Sequence, residues 1–198
     1  MRASLEEESL EDGQTPLDPD EAAGLLPRWV SSRADLNAAE NANIQSSYGW
    51  ASAELARGAS VASDGFLRGL HAAMFGQVWA WAGRYRATER NIGVAPHQIT
   101  TQLHHLFADT ATWREFDSYT LEEQAMRLHH RLTWIHPFPN GNGRVSRLMA
   151  DYYLEQQGGV RFTWGAGLPT SLARPAYLGA IRAADAGHLL ELQRFVRQ

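Results

Sequence analysis

The sequence predicts a mainly α-helical fold with one short β-hairpin flap. Three observations carry that prediction. Apolar residues recur at steps of three and four through most of the chain, helix start and stop residues bracket those stretches, and one segment broken by glycine and proline interrupts them.

Taken in order, residues 1–14 are polar and acidic and read as a mobile, solvated tail. Order begins at TPLDPDEAAGLL, where Asp18 can cap a helix with Pro19 at its first position and Glu21 at its third. The first long helix is expected at about residues 32–57, stopped by Gly58, with Leu36, Ile44, Ala51 and Leu55 as its apolar stripe. Glu40 falls on that same stripe. An unpaired buried carboxylate is costly, so a cation should meet it, either Arg33 nearby or a group from elsewhere.

A second helix is suggested by SDGFLRGLHAAMFGQVW, and the segment WAGRYRATERNIGVAPHQI after it reads as the hairpin or flap. Helical spacing returns over residues 98–115 through Ile99, Leu103, Leu106 and Phe107. The clearest helix is TLEEQAMRLHHRLTWIH: Thr120 and Glu123 make a capping box, and Leu121, Ala125, Leu128, Leu132 and Ile135 line one face. It stops at His136 because Pro137 disfavours helical geometry in the residue before it. After PFPNGNG a helix begins near Arg144, with Val145, Leu148, Met149 and Tyr152 facing inward, and ends at Gly158 and Gly159. PAYLGAIRAADAG and HLLELQRFVRQ give two closing helices.

The bulk composition narrows the function. A chain of 198 residues with 44% hydrophobic residues supports one substantial core. No cysteine is present, which excludes disulfides, thiol nucleophiles and thiolate metal sites. No apolar run reaches a membrane span and the acidic start is unlike an export signal, so a cytoplasmic protein with no membrane contact is expected. All 18 basic residues are arginine, so Schiff-base and P-loop lysines are impossible, and a phosphate must be gripped by guanidinium groups or backbone amides. Eight acids crowd residues 1–21, leaving a mildly positive body that suits an anionic ligand but lacks the basic stripe of direct nucleic-acid binding. The pairs His104/His105 and His129/His130 are not shared metal ligands, because neighbours on a helix point about 100° apart; they read as surface or partly buried. The tryptophans read as packing residues.

HPFPNGNGR, residues 136–144, concentrates the chemistry. A helix start leaves backbone N–H groups unpaired at the positive end of its dipole, and Gly141 and Gly143 would let a phosphate approach closely. Arg144 and Arg147, three residues apart, can hold further phosphate oxygens. His136 can act across that cradle as a general base.

HPFPNGNGRVSR resembles the signature of Fic (Fic/Doc, fido) domain proteins, HxFx(D/E)GNGRxxR, matching at His136, Phe138, Gly141, Asn142, Gly143, Arg144 and Arg147. AGRYR at 82–86, RNIGVAPHQI at 90–99 and the closing AYLGAIRAADAGH extend the resemblance over roughly residues 15–198. Within the family, HPFPNGNGR and TPLDPDEA are similar to the mobile mystery protein B group. The resemblance implies a Fic-type helical bundle in a single domain over residues 15–198, acting as a protein adenylyltransferase. It would transfer AMP from ATP, with Mg²⁺, to a Ser, Thr or Tyr hydroxyl of a target protein. By position, His136 would be the base. Asn140, Gly141, Asn142, Gly143, Arg144 and Arg147 would bind the nucleotide, and Phe138 would anchor the loop. Ile92, Gly93, Val94 and His97 would belong to a flap that docks the target as an added strand.

One position departs from the pattern: Asn140 stands where the family has a metal-binding acid, and an amide oxygen ligates Mg²⁺ without supplying charge. That keeps open a degenerate domain that binds without turnover, or a phosphotransferase or other nucleotidyl transferase acting as a toxin. A small antitoxin or DNA-binding partner is implied by the resemblance alone. LNAAEN at 36–41 resembles the family's inhibitory (S/T)xxxE(G/N), with Leu36 replacing the hydroxyl residue. It implies that Glu40 pairs with Arg147 and restrains the enzyme in cis.

Overall fold

The computed structural model describes residues 22–198, so the acidic tail and the helix start at Asp18–Pro19 lie outside the described residues. Seven α-helices follow: α1 (Arg33–Ala56), α2 (Asp64–Phe75), α3 (Ile99–Glu115), α4 (Leu121–Ile135), α5 (Asn142–Gln156), α6 (Thr170–Asp185) and α7 (Leu189–Phe195). The periodic stretches became helices where expected. Ser32 caps α1 through a reciprocal capping box with Asp35, and Thr120 accepts from the Glu123 N–H at the start of α4. On α1 the buried face carries Leu36, Ala39, Glu40, Asn43, Ser47 and Ala51, so the carboxylate does point inward.

The molecule is built around α4 and α5, which pack along each other and are joined only by the short loop that contains the signature. Leu128, Leu132 and Ile135 of α4 meet Val145, Met149 and Tyr152 of α5 in a core that Leu67, Leu70 and Met74 of α2 complete. α1 packs on α2, α3 on α4, and α6 pairs with α7 over the far side. Phe138 is fully buried in this core, and truncating such a ring costs about 3–5 kcal/mol. The loop is therefore tied down at its second apolar residue.

Three expectations change. No strand occurs among the described residues; the one bridge, Leu25 with Trp79, lies outside the expected hairpin. The flap's backbone groups are taken by other partners: Arg86 donates to the Thr88 and Val94 carbonyls, and the Val94 N–H goes to the Ile135 carbonyl at 3.3 Å. Those groups are therefore not available to a hairpin ladder. α6 begins at Thr170, five residues before Pro175, because a proline in the early helix forfeits one bond without ending it. His129 is completely buried, held 3.3 Å from the Tyr177 hydroxyl, whereas His104 and His105 are exposed.

Candidate active site

α4 ends at His136, whose backbone adopts φ 53° and ψ 59° as a left-handed cap. That turn swings the chain into the loop, and Gly141, at φ 78°, swings it back into α5. A Cβ on Gly141 would lie 2.6 Å from the Phe75 ring, so both conformation and space demand glycine there. Gly143 is different: a Cβ there would meet only the Tyr177 hydroxyl, at 3.7 Å. The start of α5 carries no side-chain cap, and its first residues line the cleft.

Asn142 folds the loop rather than offering its side chain to a ligand. Its Oδ1 accepts from the Phe138 N–H at 2.9 Å while its Nδ2 donates to the Phe138 carbonyl at 2.8 Å, copying the pairing of a backbone strand. Asn140 turns its own Oδ1 to the Gly141 N–H at 2.6 Å.

The cleft above this loop has a volume of about 560 Å³ and is lined by His136, Asn140 to Arg144, Arg147, Arg33, Arg174 and Glu40. Four arginines against one carboxylate give it a positive balance that suits a polyanion. The His136 side chain is nearly buried, and burial above all lowers its pKa to about 4; the Thr133 carbonyl opposes the shift, and Arg86 and Arg90 add to it. The imidazole is thus neutral at neutral pH and able to accept a proton.

Glu40 reaches the site from α1, but with a different partner from the one expected. Its Oε2 accepts from Arg144 Nη1 at 2.6 Å, and its Oε1 from the Trp79 indole N–H at 2.7 Å. Arg147 instead lies over the Tyr177 ring, 5.3 Å from its centre. The helix phase decides this: Arg144 faces α1 and stacks at 4.6 Å on Phe75, while Arg147, three residues on, faces α6. The carboxylate of Glu40 is thus shared between Arg144 and Trp79.

Of the flap residues, Ile92 and His97 are exposed, Val94 is buried in the core, and Gly93 rests on His136 so closely that a Cβ would sit 2.6 Å from that of the histidine.

Three residues that hold the site were not legible as functional. Arg86, 4% exposed, donates to the carbonyls of His136 at 2.7 Å and Val94, binding the flap to the C-terminal carbonyls of α4. His71 stacks on Phe138 at 3.7 Å and bridges the Asn140 carbonyl and the Gly83 N–H, each at 3.0 Å. That network puts its proton on Nε2, and burial pushes its pKa down to about 3. Trp164 lines the cleft with its indole N–H on Asp151, at 3.0 and 3.1 Å from the two carboxylate oxygens. Only AGRYR hinted at any of them.

The chain is similar to known proteins in sequence and in fold. Residues 63–154 match the model of the Fic/DOC family. The chain is 30% identical over 122 residues to protein adenylyltransferase fic-1 of Caenorhabditis briggsae, covering 58% of this chain and 22% of that relative. The chain thus spans about a fifth of the length of such curated relatives. Among solved structures, Fic-1 (residues 134–508) of C. elegans superposes with a TM-score of 0.64 at 22% identity, over 88% of this chain and 50% of that one. BepC of Bartonella tribocorum, a VirB-translocated effector solved with bound AMPPNP, gives 0.62 at 17% identity, over 98% and 96%. Residues 63–154, which carry the loop, its histidine and both arginines, are a Fic/DOC family domain.

Proposed function

We propose that this chain is a protein adenylyltransferase that moves AMP from ATP to a hydroxyl side chain of a target protein. One observation carries the reading: a neutral imidazole, an uncapped helix start and paired arginines converge on one cleft. In the reaction, His136 takes the proton of the target hydroxyl and the freed oxygen attacks the α-phosphorus. The bond from that phosphorus to the oxygen bridging the α- and β-phosphates breaks, and pyrophosphate leaves. N–H groups at the start of α5 receive the charge that develops on the α-phosphate. Arg144 and Arg147 take the β- and γ-phosphates.

The cleft fits a protein-held Mg²⁺ poorly. Its carboxylate, Glu40, is engaged by two donors, Asn140 Oδ1 is turned to Gly141, and no cluster of three acidic, histidine or cysteine groups occurs among the described residues. A divalent ion would come with the nucleotide, held by its phosphates. Gly93 and Ile92 would present the target segment beside His136, and Glu40 would restrain the enzyme by occupying Arg144. A cytoplasmic setting, a small antitoxin or DNA-binding partner, and kinship with the mobile mystery protein B group complete the reading; HPFPNGNGR and TPLDPDEA support the kinship.

A second reading is favoured by Asn140: a domain that binds nucleotide without turnover. ATP labelled at the α- or the γ-phosphate, incubated with wild type, Glu40→Gly and His136→Ala in a lysate, separates the two. Adenylyl transfer gives protein-bound α label that rises in Glu40→Gly and vanishes in His136→Ala. Label from γ alone identifies phosphoryl transfer, and no His136-dependent label identifies the binder.

A further inference from the structure

The carboxylate of Glu40 is held from two sides, and only one of them belongs to the signature. We propose that Trp79 is the positioning residue of this carboxylate: its indole N–H keeps Glu40 in the rotamer that occupies Arg144. Nucleotide must then compete for the arginine with a carboxylate that is anchored on a second element. The inference rests on the reading of Glu40 as a restraint.

Each carboxylate oxygen has its own donor, Trp79 Nε1 at 2.7 Å and Arg144 Nη1 at 2.6 Å. The two donors are not equivalent. The Arg144 side chain is 31% exposed and sits on the cleft, where water or a phosphate can replace Glu40. Trp79 is 2% exposed and has one polar hydrogen, so without Glu40 that hydrogen faces the core unpaired.

Trp79 is also immobile. Its ring stacks on Trp81 with centres 5.0 Å apart and planes 22° apart, and its backbone N–H is bonded to the Phe75 carbonyl at 2.8 Å. On either side, the Leu26 N–H bonds the Val78 carbonyl and the Ala80 N–H bonds the Gly24 carbonyl, both at 2.9 Å, closing the bridge between Leu25 and Trp79. A donor packed in the core, facing one that is exposed on the cleft, decides where the shared acceptor rests. Glu40 therefore belongs to Trp79 first, and Arg144 is drawn to it.

Isothermal titration with ATP and Mg²⁺ on wild type, Trp79→Phe, Glu40→Gly and the double variant tests this. Phenylalanine keeps the ring and removes the donor. Glu40→Gly should tighten ATP binding, and Trp79→Phe should tighten it by roughly tenfold, the scale of one hydrogen bond to a charged group, without exceeding Glu40→Gly. The double variant should match Glu40→Gly, because Trp79 acts through that carboxylate. A folded Trp79→Phe with unchanged or weaker ATP binding overturns the proposal, and so does an added effect in the double variant. If Glu40→Gly itself leaves ATP binding unchanged, the restraint reading fails and takes this one with it; thermal melts establish that each variant is folded. Should Trp79→Phe not fold, the indole ¹⁵N–¹H resonance of Trp79 decides. It should move on ATP saturation of wild type and in Glu40→Gly, and a resonance unmoved by either overturns the proposal.

Discussion

His136 owes its chemistry to burial more than to any single partner. With a pKa lowered to about 4, it stays a neutral base through the range where an ordinary histidine would protonate. The acid limb of kcat/KM for α-label transfer should therefore fall near pH 4 rather than near 6.5, and His136→Ala should lower the rate by about 10²–10⁴-fold with ATP affinity nearly unchanged. Asn140 is the other decisive position. Its Oδ1 serves the Gly141 N–H, a bond that a carboxylate makes equally well while adding charge toward the cleft. Asn140→Asp should keep the melting temperature within a few degrees and tighten Mg²⁺ binding in the presence of ATP, measured by titration calorimetry.

At the scale of elements, the loop between α4 and α5 is rigid because it replaces missing backbone pairing with side chains. Asn142 closes it on Phe138, His71 pins the Asn140 carbonyl, and Arg86 ties the flap to the end of α4. Asn142→Ala leaves two buried backbone groups of Phe138 unpaired and should cost about 2–4 kcal/mol in urea unfolding. Arg86→Lys keeps a charge and loses the fork that spans His136 and Val94. It should loosen the flap, seen as faster amide exchange at Val94, and raise KM for the target more than for ATP.

Across the whole molecule, the buried histidines link folding to pH. His71 and His129 are lowered to about 3 and His136 to about 4, each chiefly by burial, so the native protein binds fewer protons than the unfolded chain. Their stabilisation is complete above about pH 6.5 and is lost as pH falls from there toward 3–4, roughly 2 kcal/mol per histidine by pH 5. Asp151 acts in the opposite sense. Burial raises its pKa to about 6, so its contribution is largest below its ordinary value and fades as pH rises through 6, offsetting part of the loss. The urea midpoint should fall steadily below pH 6.5, and His129→Gln should flatten that fall.

The helices and the loop were legible because they rest on local rules. Residue periodicity, the Ser32 and Thr120 start signals and Pro137 act within a turn or two of where they stand, and HPFPNGNGR carries its turn and its chemistry in one segment. The expected hairpin was not legible, because whether backbone groups pair across a flap depends on what else claims them. Here Arg86 and the Ile135 carbonyl did.

By itself, then, the sequence determined seven helical stretches' worth of pattern, a buried face for Glu40 and a glycine-bearing loop with a histidine at its rim. Only the tertiary structure decided that Glu40 meets Arg144 rather than Arg147, that Trp79 shares the carboxylate, and that His71 and Arg86 brace the loop. These contacts join residues 39 to 104 positions apart. Two arginines three residues apart are alike in sequence, and which one faces α1 depends on how α5 is rotated against its neighbours in the packed core.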